Sequence, residues 1–504
     1  MTLPVVGNVG KRRDLPVFPV TAEPVRPGVD PGVRPASFLP SVEGPDDGLR
    51  IALVTLGCDK NTVDSERMMA ALVGHGARVG VETEGADVVI VNTCGFIEAA
   101  KEQSIETLLD ACRLKDEGGL KAVVAVGCMV QRYKDDLARE IPEVDLFMGL
   151  TELQGLVPAL RELGLLSADS DESVPLMERP LRVLTGETPH TSFLKVSEGC
   201  DHTCAFCAIP MMRGLHRSAP LAELVAEARS LGQAGVRELN VISQDTTWYG
   251  RDLKRQDPEA PLLPDLLRAL LSETEVDWYR LFYMYPSGIT RDLVDLMAES
   301  SLRREGPRLV PYLDLPLQHG SDRVLAAMRR PERQATIRER VAWLRDAVPG
   351  ITLRTTVIVG FPGETDEDFQ ELLDLLDELR FDRVGAFTYS IEEGTRAATL
   401  DDQLSDSLKR ERMEELMDLQ RGISFDRNLE QVGSLQTVLV DRMLDTDEDP
   451  DFMAVGRTVG QALDVDGATQ ILPTAGDLVQ PGRFVDIEIV DALEYDLIAK
   501  VVES

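Results

Sequence analysis

Residues 197–210 read SEGCDHTCAFCAIP and place three of the chain's seven cysteines within eight positions. They are Cys200, Cys204 and Cys207, with the spacing Cys-x3-Cys-x2-Cys. A disulfide takes two cysteines and a structural zinc site takes four ligands, whereas thiolates at such short spacings let one loop wrap an iron–sulfur cluster. Three cysteines on a four-iron cube leave one iron without a protein ligand. Spacing alone also leaves a zinc site open, with His202 or His216 as the fourth ligand.

Around this motif, apolar runs of strand type alternate with helical patterns. The six runs are SFLKVS, ELNVIS, YRLFYMY, VPYLDLPL, LRTTVIV and RVGAFTY. Six β/α units over about 230 residues predict a partial (β/α)6 barrel and not a complete eightfold one. We place this central domain at residues 189–420, closed by a helix with the sequence DSLKRERMEELMDLQRGISFDRNLEQV. The cysteine loop follows the first strand, at the carboxyl end where the active sites of barrels lie.

A second alternation of strands and helices occupies residues 50–165. The runs RIALVTL, DVVIVN and KAVVAV are short, apolar and rich in β-branched residues, which is typical of strands buried in a parallel sheet. Helical patterns lie between them, namely SERMMAALVGHG and FIEAAKEQSIETLLDACRLKDEG. These features predict an N-terminal doubly wound parallel-sheet domain of the α/β class.

Each of these three strands is followed closely by a cysteine. The three cysteines are Cys58, Cys94 and Cys128, and the glycines beside them are Gly57, Gly95 and Gly127. Because the carboxyl ends of parallel strands share one edge of an open sheet, we expect the three thiols to converge on one site. The glycines suit tight turns or a close approach of the backbone to a cofactor. Cys112 lies inside a predicted helix and is interpreted as a small buried apolar residue.

Both ends of the chain differ from these two domains. From Ser434 the pattern changes to short strands and turns, which predicts a small antiparallel β-barrel within residues 421–504. That segment carries six Lys or Arg and 17 Asp or Glu, a net charge of −11. Residues 1–49 contain nine prolines and predict a disordered extension, and the acidic residues 166–188 predict a linker.

The charge of the whole chain limits the classes of partner. The 504 residues carry a formal net charge of −34, so the chain gains nothing from the neutralisation of phosphates that drives general nucleic-acid binding. A basic protein is the better electrostatic match. We find no run of about 18 apolar residues, and no signal-peptide stretch follows the basic residues 11–13. These features predict a cytoplasmic protein without a membrane span, in which the cysteines serve metal or redox chemistry.

The Cys-x3-Cys-x2-Cys loop, with Phe206 before its last cysteine, resembles the signature of radical S-adenosylmethionine (SAM) enzymes. The resemblance implies that Cys200, Cys204 and Cys207 hold a 4Fe–4S cluster whose open iron is chelated by SAM. It implies further that the reduced cluster cleaves SAM to methionine and a 5′-deoxyadenosyl radical. Phe206 and the backbone around Gly360 are then candidates to flank the bound SAM.

Three N-terminal cysteines, the radical SAM loop and a small C-terminal barrel are together the arrangement of the methylthiotransferase family. The resemblance covers nearly all of residues 50–504 and identifies the last module as TRAM-like. It implies that Cys58, Cys94 and Cys128 hold a second, auxiliary 4Fe–4S cluster, and that each turnover uses two molecules of SAM. It also implies an electron donor such as a flavodoxin or ferredoxin.

The family has two branches, which modify either an aspartate of the small-subunit ribosomal protein S-twelve or adenosine at C2 in tRNA. The stretch LGCDKNTVDSE (56–66) resembles the first branch, in which Lys-Asn stands where the tRNA branch has Met-Asn. The stretches YLDLPLQHGSDRVLAAMRR, VIVGFPGETDEDF, YSIEEGT and GRTVGQALDVDG also resemble it. We therefore expect methylthiolation of the β-carbon of that aspartate, with tRNA the less favoured substrate.

The sequence differs from the first branch at two places, and one rival class of protein is also considered. Asp59 stands where the branch commonly has proline, and RSAP (217–220) replaces the commoner Arg-Ser-Arg-Pro. Neither removes a cysteine. The rival is a non-catalytic module that binds metal or RNA, but such a module does not need two sets of cysteines at strand ends.

Overall fold

The structure is a computed structural model that describes residues 44–166, 182–185, 188–303, 306–445, 451–474 and 478–502. The predicted extension 1–49 is therefore described only from residue 44. Most of the predicted linker 166–188 also lies outside the described residues. In the part of the chain that is described, no helix is long and apolar enough to cross a bilayer.

The N-terminal domain is a five-stranded parallel sheet with the order β2-β1-β3-β4-β5. Its strands are β1 Leu49–Thr55, β2 Ala77–Val79, β3 Val88–Thr93, β4 Ala122–Gly127 and β5 Leu146–Gly149. Its helices are α1 Asp59–Gly74, α2 Glu98–Asp116, α3 Cys128–Glu140 and α4 Leu156–Glu162. Separate apolar cores fill the two faces of the sheet, which confirms the doubly wound fold.

The three predicted strands form the centre of this sheet as β1, β3 and β4, and β3 and β4 are buried along their whole length. The sequence analysis missed β2 and β5, which are edge strands of three and four residues. Helix α1 begins at Asp59, six residues before the predicted start at Ser65. Its first turns are polar and nevertheless buried, because they pack against the central domain through ion pairs, so they carry no apolar periodicity.

The central domain is a six-stranded parallel sheet whose strands follow one another in sequence order, which confirms the partial barrel. These strands are β6 Thr191–Lys195, β9 Glu238–Ile242, β10 Trp278–Leu281, β11 Leu309–Asp314, β12 Thr352–Val359 and β13 Arg383–Thr388. A two-residue ladder joins β7 Ser197–Glu198 to β8 Arg217–Ser218. Strand β10 ends earlier than its apolar run because the chain turns at Tyr283, which has φ +58°.

Helices cover the outside of this sheet. They are α5 Ile209–Arg213, α6 Leu221–Gln233, α7 Leu263–Glu273, α8 Arg291–Ser301, α9 Asp322–Ala327, α10 Gln334–Ala347, α11 Asp366–Leu379 and α12 Asp406–Leu429. Along β12 buried and half-buried residues alternate, so one face packs on the helices and the other faces the barrel interior. Helix α12 crosses the predicted boundary between residues 420 and 421, and its Asn428 donates to the carbonyl of Leu493 in the last domain.

The C-terminal domain is a closed five-stranded barrel with the order β14-β15-β16-β18-β17. Its strands are β14 Leu435–Met443, β15 Ala454–Arg457, β16 Thr469–Ile471, β17 Phe484–Ala492 and β18 Leu497–Val501. Four of the five pairings are antiparallel as expected, but β16 pairs with β18 in parallel. The parallel pair closes the barrel between strands that are not consecutive in the sequence.

A buried cluster of charges joins the central and C-terminal domains. Glu238 at the start of β9 accepts hydrogen bonds from Arg280 and from Arg457, and all three side chains are at most 2% exposed. Arg457 also donates to Asp441 and to Thr191. Burial raises the pKa of Glu238, but the two guanidinium groups outweigh it and hold the pKa below its ordinary value. This carboxylate therefore stabilises the folded protein above pH 5, and its contribution is lost as the pH falls through the lowered pKa.

We predict that Glu238→Gln lowers the free energy of unfolding by about 3 to 5 kcal/mol at pH 7, because two buried arginines lose the negative charge that they share. Urea unfolding followed by tryptophan fluorescence measures this, since Trp278 contacts Phe484 across the same interface. The matched control is Glu488→Gln, which breaks the exposed pair with Lys500 in the C-terminal barrel and is expected to cost below about 1 kcal/mol. Equal losses in the two variants would contradict the prediction.

Candidate active site

The three N-terminal cysteines all lie at the carboxyl edge of the parallel sheet. Cys58 precedes α1, Cys94 directly follows β3, and Cys128 is the first residue of α3 after β4. Burial raises the pKa of Cys94 to about 11 and that of Cys128 to about 12. Part of this rise comes from Cys58 in both cases and from Cys94 in the case of Cys128, so the three thiols are close neighbours. None of the three is in a disulfide.

Two glycines keep this edge compact. Gly57 has φ +89°, and a Cβ on it would lie 2.8 Å from the Sγ of Cys94. Gly127 has φ +103°, and a Cβ there would lie 2.5 Å from the side-chain oxygen of Asn92 and from the carbonyl of Thr93. A side chain at either position would push the cysteine loops apart, so the glycines expected beside the cysteines are required by packing.

The second cysteine set lies in the loop between β7 and α5, at the carboxyl end of the barrel. Burial, together with the neighbouring Cys204, raises the pKa of both Cys200 and Cys207 to about 12. The Sγ of Cys204 lies 3.5 Å from the hydroxyl of Tyr285 and 3.9 Å from Nη1 of Arg330. Tyr285 follows β10 and Arg330 follows α9, so both come from other parts of the central domain, and neither had a signal in the sequence.

Both histidines left open as zinc ligands have other partners at Nε2. Nε2 of His202 lies 2.7 Å from Asp245, and its ring stacks on Tyr285. Nε2 of His216 lies 3.1 Å from the hydroxyl of Ser218. Among the residues that the structure describes, no three His, Cys, Asp or Glu side chains are placed to hold one metal ion. Each set offers three thiols as donors, and thiolates are the usual ligands of iron–sulfur clusters, so the residues present fit a cluster that keeps one iron without a protein ligand.

The two residues predicted to flank SAM lie in one neighbourhood. Phe206 packs against a small apolar cluster that contains Phe361, the residue after Gly360. Gly360 has φ +75°, and its backbone N–H and that of Phe361 both donate to Glu364, which Arg412 holds at 2.7 Å. The Gly360 turn is therefore fixed by the protein itself, and a contact of Phe206 or Gly360 with SAM stays a prediction.

Cys112 differs from the other six cysteines in its position. It lies in α2 and packs in the apolar core beneath the sheet, away from the carboxyl edge. Burial raises the pKa of its thiol to about 11, as it does for Cys94. Cys94 and Cys112 are thus both buried thiols with a raised pKa, but only Cys94 lies at the carboxyl edge of the sheet with other cysteines.

Comparison with known proteins agrees with this division into domains. Residues 50–149 match the Uncharacterized protein family UPF0004, residues 194–376 match the Radical SAM superfamily, and residues 432–502 match the TRAM domain. The relative "Ribosomal protein uS12 methylthiotransferase RimO" of Geobacter sulfurreducens is 42% identical over 90% of this chain and 98% of its own length. That of Desulforudis audaxviator is 44% identical over 90% of this chain and 97% of its own length.

A cysteine-edged doubly wound domain, a radical SAM barrel and a TRAM barrel in this order define a radical SAM methylthiotransferase. Within that class the similarity to the curated relatives extends over 90% of the chain. The chain belongs to the RimO family of methylthiotransferases.

We predict that Cys94→Ala and Cys112→Ala differ in iron binding, although both remove a buried thiol from the same domain. After anaerobic reconstitution, Cys94→Ala is expected to keep about half of the iron and labile sulfide, because one of the two predicted clusters would lose a ligand. Cys112→Ala is expected to keep all of the iron and all of the labile sulfide. Iron and sulfide analysis of the full-length proteins is the measurement, and a matching loss in Cys112→Ala would contradict the prediction.

Proposed function

We propose that this protein is a cytoplasmic enzyme that methylthiolates the β-carbon of an aspartate in ribosomal protein uS12. The observation that carries the proposal is identity above 40% over 90% of the chain to relatives named for uS12 methylthiolation. Two further features support a protein substrate over tRNA. The chain carries a net charge of −34, and its C-terminal 84 residues carry −11, so a basic ribosomal protein is the better electrostatic match.

The proposal includes two 4Fe–4S clusters, each held by three cysteines. Cys200, Cys204 and Cys207 would hold the one that receives SAM, and Cys58, Cys94 and Cys128 would hold the auxiliary one. When bound, these groups and two molecules of SAM supply the electron for SAM cleavage, the radical and the methylated sulfur. A flavodoxin or ferredoxin would supply the electron to the protein.

The chain's own residues prepare the site of Cys200, Cys204 and Cys207. Cys200 and Cys204 are each at most 9% exposed, so the loop keeps water from the place where a reactive radical would form. The Tyr285 hydroxyl and the Arg330 guanidinium face the sulfur of Cys204, and a charged neighbour of this kind tunes a bound cluster. The Glu364 carboxylate fixes the Gly360 turn at the end of β12, on the side where Phe206 packs.

The proposal predicts a specific change in uS12 in cells that lack this gene. The intact mass of uS12 is expected to fall by about 46 Da, the mass of a CH3S group less one hydrogen, at one aspartate. Mass spectrometry of purified ribosomes measures it, and the gene restored on a plasmid is the control. An unchanged uS12 together with loss of methylthioadenosine from hydrolysed tRNA would overturn the proposal in favour of the tRNA branch.

The two cysteine sets are expected to separate in a product assay. Cys204→Ala should abolish 5′-deoxyadenosine formation from SAM under reducing conditions, because the SAM-binding cluster loses a ligand. Cys94→Ala should keep SAM cleavage and lose methylthiolation of added uS12, since it affects only the auxiliary site. Chromatography of 5′-deoxyadenosine and the mass of uS12 are measured in the same reactions. Loss of SAM cleavage in both variants would contradict the assignment of separate sites.

A further inference from the structure

The short helix α5 lies between the two cysteine sets. It begins two residues after Cys207 and packs against α3 of the N-terminal domain. Ala208 and Met212 form a small apolar cluster with the buried thiol-bearing residue Cys128. One continuous segment of eleven residues, 203–213, therefore carries two of the radical SAM cysteines and also contacts a cysteine of the other set.

Arg213, the last residue of α5, extends from the central domain into the N-terminal one. Its side chain is 1% exposed. It donates to Oδ1 of Asn61 at 2.6 Å, to Asp64 at 3.1 Å and to Glu198 at 2.7 Å. Lys195 pairs with both Asp64 and Glu198, so two cations and two carboxylates form a balanced buried network.

Asn61 connects this arginine to all three cysteine-bearing loops. Its amide nitrogen donates to the carbonyl of Leu56 at 2.8 Å, just before Gly57 and Cys58, and to the carbonyl of Thr93 at 3.2 Å, just before Cys94. Its Oδ1 lies 3.6 Å from the Sγ of Cys128. Because both amide hydrogens point at carbonyls, Oδ1 must face Arg213 and Cys128.

The charge of Arg213 also reaches the thiols. Nη2 of Arg213 lies 2.6 Å from Oδ1 of Asn61, and the same oxygen lies 3.6 Å from the Sγ of Cys128, so a single side-chain atom separates the guanidinium group from a thiol. Thiolates are the form in which cysteines bind metal. The positive charge of the Arg213 guanidinium group compensates negative charge at the auxiliary site, whether that charge lies on free thiolates or on a bound cluster.

We propose that Arg213 is a positioning residue for the auxiliary site, which acts through Asn61 on the loops of Cys58, Cys94 and Cys128 and raises the reduction potential of what they hold. This inference rests on the proposed function, because it takes those cysteines as cluster ligands. The auxiliary site is therefore completed by a residue of the central domain. Its cluster is retained and tuned only while the two domains are docked.

The test uses the full-length chain with Cys204→Ala, so that the iron–sulfur signal comes from the auxiliary site alone. Arg213→Gln and Arg213→Lys are introduced into this parent, and the potential is measured by a redox titration followed by EPR. Arg213→Gln is expected to lower the potential, because a reduced cluster loses a compensating charge, and to weaken metal retention against a chelator about tenfold or more. Arg213→Lys keeps the charge and is expected to restore the potential, while retention stays weakened because one amine cannot span Asn61 and Glu198.

The matched control is Arg67→Gln. Arg67 is also a nearly buried arginine between the same two domains, paired with Glu227 at 3.1 Å. It is expected to destabilise the interface and leave the potential unchanged. The inference is overturned if Arg213→Gln keeps the parent's potential, if Arg67→Gln shifts it equally, or if Arg213→Lys does not restore it. If the parent protein Cys204→Ala binds no cluster at all, the proposed auxiliary site itself is refuted. That outcome is distinct from the ones above, which refute only the role of Arg213.

Discussion

The structure depends on a buried polar contact between the start of α1 and the central domain. Asn61, Asp64, Glu66 and Arg67 lie on the first turns of this helix and are at most 9% exposed. Their partners come from the central domain and from the segment that leads into it, including Arg182, Lys195, Arg213 and Glu227. Ion pairs of this kind add little net stability over apolar packing, but they allow one relative placement of the two domains. In that placement α5, which follows Cys207, packs against α3, which begins at Cys128.

A second polar contact fixes the opposite side of the central sheet. Glu238, Arg280 and Arg457 lie at or near full burial where β9 and β10 meet the TRAM barrel. Tyr312 on β11 donates to Asp466 of the same barrel at 2.7 Å. The three domains are therefore joined by specific hydrogen bonds at both interfaces. The acidic TRAM barrel is thereby attached to the central sheet through residues of β9, β10 and β11.

Strands that are buried and apolar could be predicted from the sequence, whereas short edge strands could not. Strands β1, β3, β4 and the six strands of the central sheet contain mostly buried or half-buried residues, so each leaves a visible apolar run in the sequence. Strands β2 and β5 are short edges without such a run, and the parallel pairing of β16 with β18 depends on barrel closure. The six cysteines stood out because parallel strands place their carboxyl ends together. Asn61 and Arg213 did not, because an isolated asparagine or arginine has no pattern.

The sequence by itself determined the order of the three domains, the two cysteine sets and the family resemblance. These can be recognised from apolar runs and from the spacing of motif residues, both of which are local features of the sequence. Only the tertiary structure decided which side chains surround the cysteines. Asn61 meets Arg213 across 152 positions, and Glu238 meets Arg457 across 219. Such contacts arise from how whole domains pack, and the free energy that selects them is spread over many distant residues, so no short stretch of sequence contains it.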